Sequence, residues 1–371
     1  MKVIQILPEL NAGGVERGTL EVAARLVADG HESLVISNGG RMVEELEKAG
    51  TRHFTMPVHR KALGSLAQVP KLRALFEAEK PDIIHLRSRL PAWLAFLAWK
   101  SMNRKTRPRL VTTVHGFYSV NAYSAVMTKG ESVIAVSESV RGYITKNYPK
   151  TDPTKIRVIH RGVDEKAYPI GYKPPAEWLA EWQAAQPVLL ERTVLLMPGR
   201  LTRWKGQEDF LQLIASLAGQ GMPVHGLIVG DPHPKKLAFL DELKALAETL
   251  GITEKVSFLG HRGDLREIMA VSDLVYSFSR DPEAFGRVSL EAMALGKPVI
   301  AYNHGGVAEQ LQALFPQGLV PVGDVHCAID LTGKILNGRP KPLPIDAFTL
   351  DRMLDATLDV YQTLPARNAP R

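Results

Sequence analysis

Glu283 and Glu291 stand with seven residues between them around a Phe-Gly turn, in the run Glu-Ala-Phe-Gly-Arg-Val-Ser-Leu-Glu. Gly286 lets backbone N–H groups come close to a ligand, and the stretch from Val288 through Ala294 reads as a helix whose first turn would face a diphosphate. Glu283 then precedes the helix, free to hold sugar hydroxyls, while Glu291 lies on it and can accept both hydroxyls of a ribose. Such an arrangement points to a nucleotide-sugar site. Taken alone, the pair also fits an acidic helix start with a solvated Glu, so the rest of the chain must choose between the two.

A second constellation follows the strand-like run Thr193 to Met197. In Pro198-Gly-Arg-Leu-Thr-Arg-Trp-Lys-Gly206, Arg200 offers a planar fork and Lys205 a compact charge, and together they can neutralise a leaving diphosphate. A solvated basic turn is the alternative for that loop. Near the start, Gly13-Gly14-Val15-Glu16 makes a glycine turn into a helix whose N-terminus can hold phosphate or sugar oxygens; a plain βα turn fits it equally. Its glycines do not form G-x-G-x-x-G, and the second strand ends Ser37-Asn38-Gly39-Gly40 without the acidic residue for an adenosine ribose, which disfavours a dehydrogenase. No Asp-x-Asp motif and no clustered His/Asp/Glu set has convincing ligand spacing, so neither a metal nor another cofactor is expected.

The elements that must position these residues alternate in type. Val3 to Leu7, Ser33 to Ser37, Ile83 to Leu86, Leu110 to Val114 and Ser132 to Val136 read as buried strands with helical patterns between them. The pattern restarts with Thr193 to Met197, Val224 to Val229, Val256 to Leu259, Leu274 to Ser277 and Val299 to Tyr302. Two doubly wound α/β domains are therefore expected, which agrees with 371 residues at 45% hydrophobic and 23% charged composition. The breaker-rich passage Tyr168 to Pro187 suits a linker, and the boundary is placed at 165: residues 1–165 with 348–371 form the first domain, and 166–347 the second. An amphipathic helix from Phe348 to Thr363 would cross back onto the first domain. Ligands of such folds bind outside the carboxyl ends of the strands, where all the residues above fall.

Cys327 is the single cysteine, which excludes an intrachain disulfide and fits a reducing cytoplasm. The chain enters a strand-like run at Lys2 with no secretory leader pattern, and its longest apolar stretch, Leu90 to Trp99, is too short for a bilayer. A cytoplasmic location is expected. Residues 1–170 hold 26 Lys and Arg against 16 Asp and Glu, leaving 20 against 23 beyond, so the first half should meet something anionic.

Together, Gly13 to Glu16, Arg200 with Lys205-Gly206, Phe258-Leu259-Gly260, and the segment from Glu283 to Ile300 resemble the retaining glycosyltransferases of family 4. The resemblance implies a GT-B fold, two Rossmann-like domains facing across a cleft that closes before transfer. It implies a nucleoside-diphosphate sugar in the second domain and an acceptor in the first. Arg200 and Lys205 would then bind the diphosphate, and Glu291 the ribose. Glu283 would hold the sugar together with backbone groups of Ala284, Phe285, Gly286, Arg287 and Val288. His115, after the strand ending at Val114, resembles the family histidine near the donor sugar; a histidine satisfying a loop carbonyl is the other reading. Gly14, Gly230, His261 and Arg262 fall at donor loops, Gly305-Gly306 at another family loop, and Glu16 on the acceptor side. Three positions depart from the family: Ala284 replaces a glycine, Gly116 stands where an acid commonly follows the histidine, and Arg161 replaces the Asn of Asn-Gly-Val-Asp.

Arg87 and Arg89, directly after a strand, are candidates for an acidic acceptor. Leu90, Trp93, Leu94, Phe96, Leu97 and Trp99, followed by Lys100, Arg104, Lys105, Arg107 and Arg109, read either as an interfacial dock on anionic membrane or as a core-packed helix with a basic end. A lipopolysaccharide core intermediate or another lipid-linked saccharide would satisfy both the charge and the dock, placing the protein at the inner face of the cytoplasmic membrane. No nucleic-acid reader motif accompanies the basic surface. The expected activity is metal-independent, retaining transfer of a sugar, with UDP-hexose or UDP-N-acetylhexosamine as donor. A nucleotide-sugar epimerase and a non-catalytic sugar-nucleotide-binding protein are the alternatives.

Overall fold

A computed structural model describes residues 1–11, 13–60, 62–232 and 238–364, and the chain divides into two compact units. One holds Met1–Arg161 with the chain from Asp351, the other Gly162–Leu350. The divisions lie a few residues from 165 and 348, and 365–371 of the expected first domain lie outside the described residues.

In unit one, strands β1 (Lys2–Ile6), β2 (Glu32–Ser37), β3 (Arg52–Thr55), β4 (Ile83–Leu86), β5 (Arg109–Val114), β6 (Ser132–Ala135) and β7 (Ile156–Val158) form one parallel sheet in the order β3-β2-β1-β4-β5-β6-β7. Helices α1 (Gly14–Ala28), α2 (Val43–Lys48), α3 (Gln68–Glu79), α4 (Arg89–Ser101) and α5 (Glu138–Asn147) connect the strands. The central strands are buried along nearly their whole length, as in a sheet covered on both faces.

Unit two repeats the plan. Helix α6 (Ala176–Ala185) leads into β8 (Thr193–Pro198), α7 (Gln207–Gly219), β9 (Val224–Val229), α8 (Ala238–Thr249), β10 (Val256–Phe258), α9 (Leu265–Val271) and β11 (Leu274–Ser277). Then come α10 (Arg287–Ala294), β12 (Val299–Tyr302), α11 (Gly305–Leu314), β13 (Leu319–Val320) and α12 (Val325–Gly338). The sheet order is β10-β9-β8-β11-β12-β13, again parallel. Each sheet therefore reverses its direction of growth once, between β1 and β4 in unit one and between β8 and β11 in unit two. Loops leave such a switch point in opposite directions and open a crevice outside the carboxyl ends of the strands.

The last helix, α13 (Leu350–Thr363), lays Met353, Leu354, Leu358 and Tyr361 into unit one, as its apolar spacing predicts. Its anchors are Asp355, paired with Arg25 at 2.7 Å, and Tyr361, whose hydroxyl lies 2.6 Å from His85 Nδ1. His85 Nε2 is 2.6 Å from Thr113 Oγ1, and Arg87 Nε donates to Gln5 Oε1 at 2.7 Å. Residues of β1, β4, β5 and α13 thus share one buried polar network. Arg87, expected at the acceptor, is 2% exposed and turned into this interior, with its Nη2 buried without a hydrogen-bond partner among the described residues, so it does not lie on the surface of the unit.

Helix α4 settles the choice between dock and core. Trp93 and Trp99 donate their indole N–H groups to the carbonyls of Tyr123 and Pro108, both at 2.7 Å, Phe96 stacks on Trp99, and Arg107 lies 3.4 Å from the centre of the Trp99 ring. Of the six large apolar and aromatic residues Leu90, Trp93, Leu94, Phe96, Leu97 and Trp99, only Leu97 is exposed, while Leu90, Trp93 and Phe96 are half-buried. Among the described residues no helix is long and apolar enough to cross a membrane.

Burial, reinforced by the charges of Arg87, His115 and Arg161, holds the His85 pKa well below its ordinary 6.5. The folded chain keeps this imidazole neutral while the unfolded chain protonates it, so its contribution to stability is complete above pH 6.5 and lost as pH falls below it. Urea midpoints should therefore drop from about pH 7.5 to about pH 5.5, and His85→Gln should flatten that dependence; equal slopes in both proteins would contradict this.

Candidate active site

At the switch point of unit two, the loop after β8 and the loop after β11 are built against each other. Gly206, in the left-handed region at φ 78°, closes the Arg203–Lys205 turn, and a Cβ there would collide with the Phe278 carbonyl. The Arg280 N–H donates to the Trp204 carbonyl at 2.6 Å. Beneath them Asp209, 1% exposed on the first turn of α7, accepts from Arg280 and, at 2.7 Å, from the Tyr302 hydroxyl. A buried carboxylate needs such partners, and here they fasten both loops to β12.

These loops bring two of the expected residues into contact. Lys205 Nζ lies 2.7 Å from Glu283 Oε1, which also accepts from Ser279 Oγ at 2.5 Å. Burial pushes the Glu283 carboxyl up, but the charge of Lys205 and hydrogen bonds from Lys205, Ser279 and Ser277 outweigh it, so the group sits below its ordinary pKa. Arg200 is exposed at the same strand end and, among the described residues, has no ion-pair partner.

Helix α11 fixes the segment that carries Glu283. His304 Nε2 donates to the Ser279 carbonyl at 2.6 Å, the Gly306 N–H to the Glu283 carbonyl at 2.8 Å, and Gln310 Nε2 to the Phe285 carbonyl at 2.5 Å. Side chains at Gly305 and Gly306 would strike the backbone of Glu283 and Ala284. Gly286, at φ 84°, then turns the chain into α10. That N-terminus has no side-chain cap, so its first N–H groups and the positive end of the helix dipole are available to an anion. Glu291, one turn further, pairs with Arg287 at 3.0 Å. Phe285 is buried, with Phe348 as an aromatic neighbour, and Ala284 and Val288 are half-buried.

Other expected residues have local duties. Gly230 allows the strand ends of β8, β9 and β10 to approach, its N–H donating to the Gly260 carbonyl at 2.8 Å. The His261 N–H is taken by Asp231 at 3.0 Å, leaving an exposed imidazole. Arg262 grips Asp264 through two bonds of 2.8 and 2.6 Å and lies over Trp182, so its side chain is spent on the start of α9.

In unit one, His115 follows β5, and its Nε2 is buried without a hydrogen-bond partner among the described residues. Burial, then the charges of Arg161 and Arg87, hold its pKa well below 6.5, which keeps the ring neutral. Arg89 lies 4.6 Å from the centre of the Tyr118 ring and donates to Ser124 Oγ at 3.3 Å. Glu16 is half-buried over the turn at Gly13, where burial raises its pKa against the opposing pull of its own N–H, and Glu9 raises it further. Gly14 opens α1, its carbonyl accepting from Arg161 at 2.5 Å. Sequence reasoning missed Ser279, Asp209, Arg280, Tyr302 and His304. Asp209 and Arg280 lie 71 positions apart, so no local pattern reveals them. Among the described residues no group of three or more His, Cys, Asp or Glu could hold a metal ion.

Comparison with known proteins shows the family to which the chain belongs. Residues 12–167 match the family model Glycosyltransferase Family 4, and residues 180–345 match Glycosyl transferases group 1. A solved glycosyltransferase from Rickettsia africae is 30% identical, with TM-score 0.85 and 97% of each chain covered. Anabaena HepE, solved with UDP and glucose, has the same fold at TM-score 0.80 and 23% identity, covering 98% of this chain and 100% of its own. A D-inositol 3-phosphate glycosyltransferase from Mycobacterium sp. strain KMS is 30% identical over 262 residues, 65% of this chain and 56% of that protein. The chain thus spans little more than half of that curated relative. Matched by these two models over most of its length, and by a 30% identical relative from end to end, the chain belongs to glycosyltransferase family 4.

Proposed function

We propose that the chain transfers a sugar from a UDP-sugar to a hydroxyl of a saccharide acceptor, with retention of anomeric configuration. The observation that carries this reading is the Lys205–Glu283 pair beside the uncapped N-terminus of α10. A diphosphate would take Lys205, Arg200 and the α10 N–H groups, and the donor sugar's hydroxyls would take the Glu283 carboxylate that Lys205 releases. Glu291 would receive the ribose hydroxyls. As the bond from the anomeric carbon to the diphosphate oxygen breaks, charge grows on the leaving group, and the cations stabilise it more strongly than they stabilise the intact donor. The acceptor oxygen attacks from the same face, and its proton passes to a phosphate oxygen of the departing UDP. Binding of UDP and glucose by HepE, which has this fold, supports the choice of donor. The basic first unit supports an acceptor bearing acidic groups, such as a lipopolysaccharide core or other lipid-linked saccharide at the inner face of the cytoplasmic membrane.

The test is UDP release from a panel of UDP-, GDP- and ADP-sugars in EDTA, with and without detergent-solubilised envelope glycolipid. Release from a UDP-sugar that needs the glycolipid and survives EDTA is expected. Conversion of the sugar without loss of nucleotide would replace this reading with an epimerase, and binding without turnover of any donor would leave only a binding protein. Lys205→Ala should lower kcat about 10²–10³-fold, the usual cost of losing one group that stabilises developing charge; an unchanged kcat would remove Lys205 from the chemistry.

His115 gives a second expectation. With its pKa held below 6.5, its protonation should not depress kcat/KM between about pH 8 and about pH 6.5. A decline centred near 6.5 that disappears in His115→Ala would show an imidazole of ordinary basicity instead.

A further inference from the structure

Outside the carboxyl ends of β1 and β2 lies an open cavity of about 400 Å³, lined by Asn11, Gly13, Arg17, Arg41, Met42 and Glu45. That volume falls in the range of small-molecule sites. Its walls are built in advance of any ligand. The Leu10 N–H donates to the Gly39 carbonyl and the Met42 N–H to the Leu10 carbonyl, both at 2.8 Å. Arg41 ties down Asn11 twice, its N–H donating to Asn11 Oδ1 at 3.3 Å and its Nε to the Asn11 carbonyl at 2.5 Å. Gly40 sits so close to this strand end that a Cβ would meet the Leu10 backbone at 2.5 Å. Across the cavity, Arg17 Nη1 pairs with Glu45 Oε1 at 2.7 Å and joins α1 to α2.

The chemistry these polar groups assemble is specific. An amide, two guanidinium groups and a carboxylate hold one another in place, Asn11 Nδ2 donating to Glu9 Oε2 at 3.1 Å, and hydroxyls would meet the donor and acceptor capacity that these bonds leave over. Arg17 and Glu45 offset each other, Arg41 is already bonded to backbone, and Glu9, which accepts from Asn11 Nδ2 at 3.1 Å, and Glu16, whose carboxylate lies against Gly13, leave no net positive charge at the rim. Such a lining favours neither a doubly charged phosphate nor a cation. Met42 adds an adaptable apolar surface for the C–H face of a ring.

We propose that this cavity is a saccharide subsite, holding a neutral hydroxylated ring of the acceptor through Asn11, Arg17, Arg41 and Glu45. The assignment rests on the reading of unit one as the acceptor unit, and gives that unit a place to recognise sugar that Arg87, buried as it is, does not supply. The acidic part of the acceptor lies elsewhere on this account.

The experiment is saturation-transfer NMR on the full-length protein with the methyl glycosides of glucose, galactose and N-acetylglucosamine as probes, alongside inorganic phosphate and L-malate by calorimetry. UDP binding is measured in the same samples. At least one glycoside should receive saturation, and both Arg41→Ala and Glu45→Gln should weaken its binding about tenfold, the effect of losing a charge-assisted hydrogen bond, while UDP binding and the melting temperature stay unchanged. Saturation that persists equally in both variants, or reaches no glycoside, overturns the subsite, as does phosphate or malate binding that Arg41→Ala abolishes while no glycoside binds. Failure of UDP binding in the wild-type protein would instead count against the donor reading and leave the saccharide result to stand by itself.

Discussion

The ion pair between Lys205 and Glu283 organises the strand ends of unit two. A carboxylate this poorly exposed is stable only with compensation, and Lys205, Ser277 and Ser279 supply it. Because the two charges come from loops on either side of the β8/β11 switch point, the pair also sets how those loops meet. The deeper Asp209, Arg280 and Tyr302 cluster keeps the same loops together from below, and α11 holds the outer one. The uncapped end of α10 adds a positive dipole end to the cation. In the proposed donor site one geometry would serve both folding and ligand recognition: each partner satisfies the other in a way that a diphosphate and a hydroxylated sugar would replace.

Unit one uses its switch point differently. The side chains after β4 and within β5 are drawn inward, with His85, Thr113, Tyr361 and Arg87 forming a network that fastens α13. Burial, reinforced by the nearby charges of Arg87 and Arg161, keeps the imidazoles of His85 and His115 neutral. The remaining polar surface at the ends of β1 and β2 is rigid and nearly balanced in charge, which suits recognition by hydroxyls.

Much of this was legible in the sequence, for identifiable reasons. Strands buried on both faces leave continuous apolar runs, so β1, β2, β4, β5, β6 and most of the second sheet were marked by composition. Three strands were missed. β3, Arg-His-Phe-Thr, is partly exposed, β7 carries an exposed Arg157, and β13 has two residues, so none has an apolar run to announce it. The loops holding Lys205 and Glu283 were readable because each follows a strand, and the stripe on α13 had already marked it as packing. What stayed hidden is nonlocal: the inward turn of Arg87 depends on Gln5 and Tyr361, and Arg280 on Asp209. The engagement of Arg262 was different, since Asp264 stands two residues away and an arginine with an acid so near can be spent on it. The aromatic spacing of α4 fitted a core and an interface equally, and the indole hydrogen bonds, the stacking on Trp99 and the burial of the helix favour the core.

Competition for Lys205 runs against simple loss of function. If Glu283 and a diphosphate compete for Lys205, then Glu283→Gln, which keeps the shape and removes the charge, frees the lysine. Calorimetric titration with UDP, which has no sugar to miss the carboxylate, should show tighter binding to Glu283→Gln than to the wild-type protein. UDP binding that is weaker in the variant, or unchanged, would contradict the exchange of partners at Lys205 on which the proposed donor site depends.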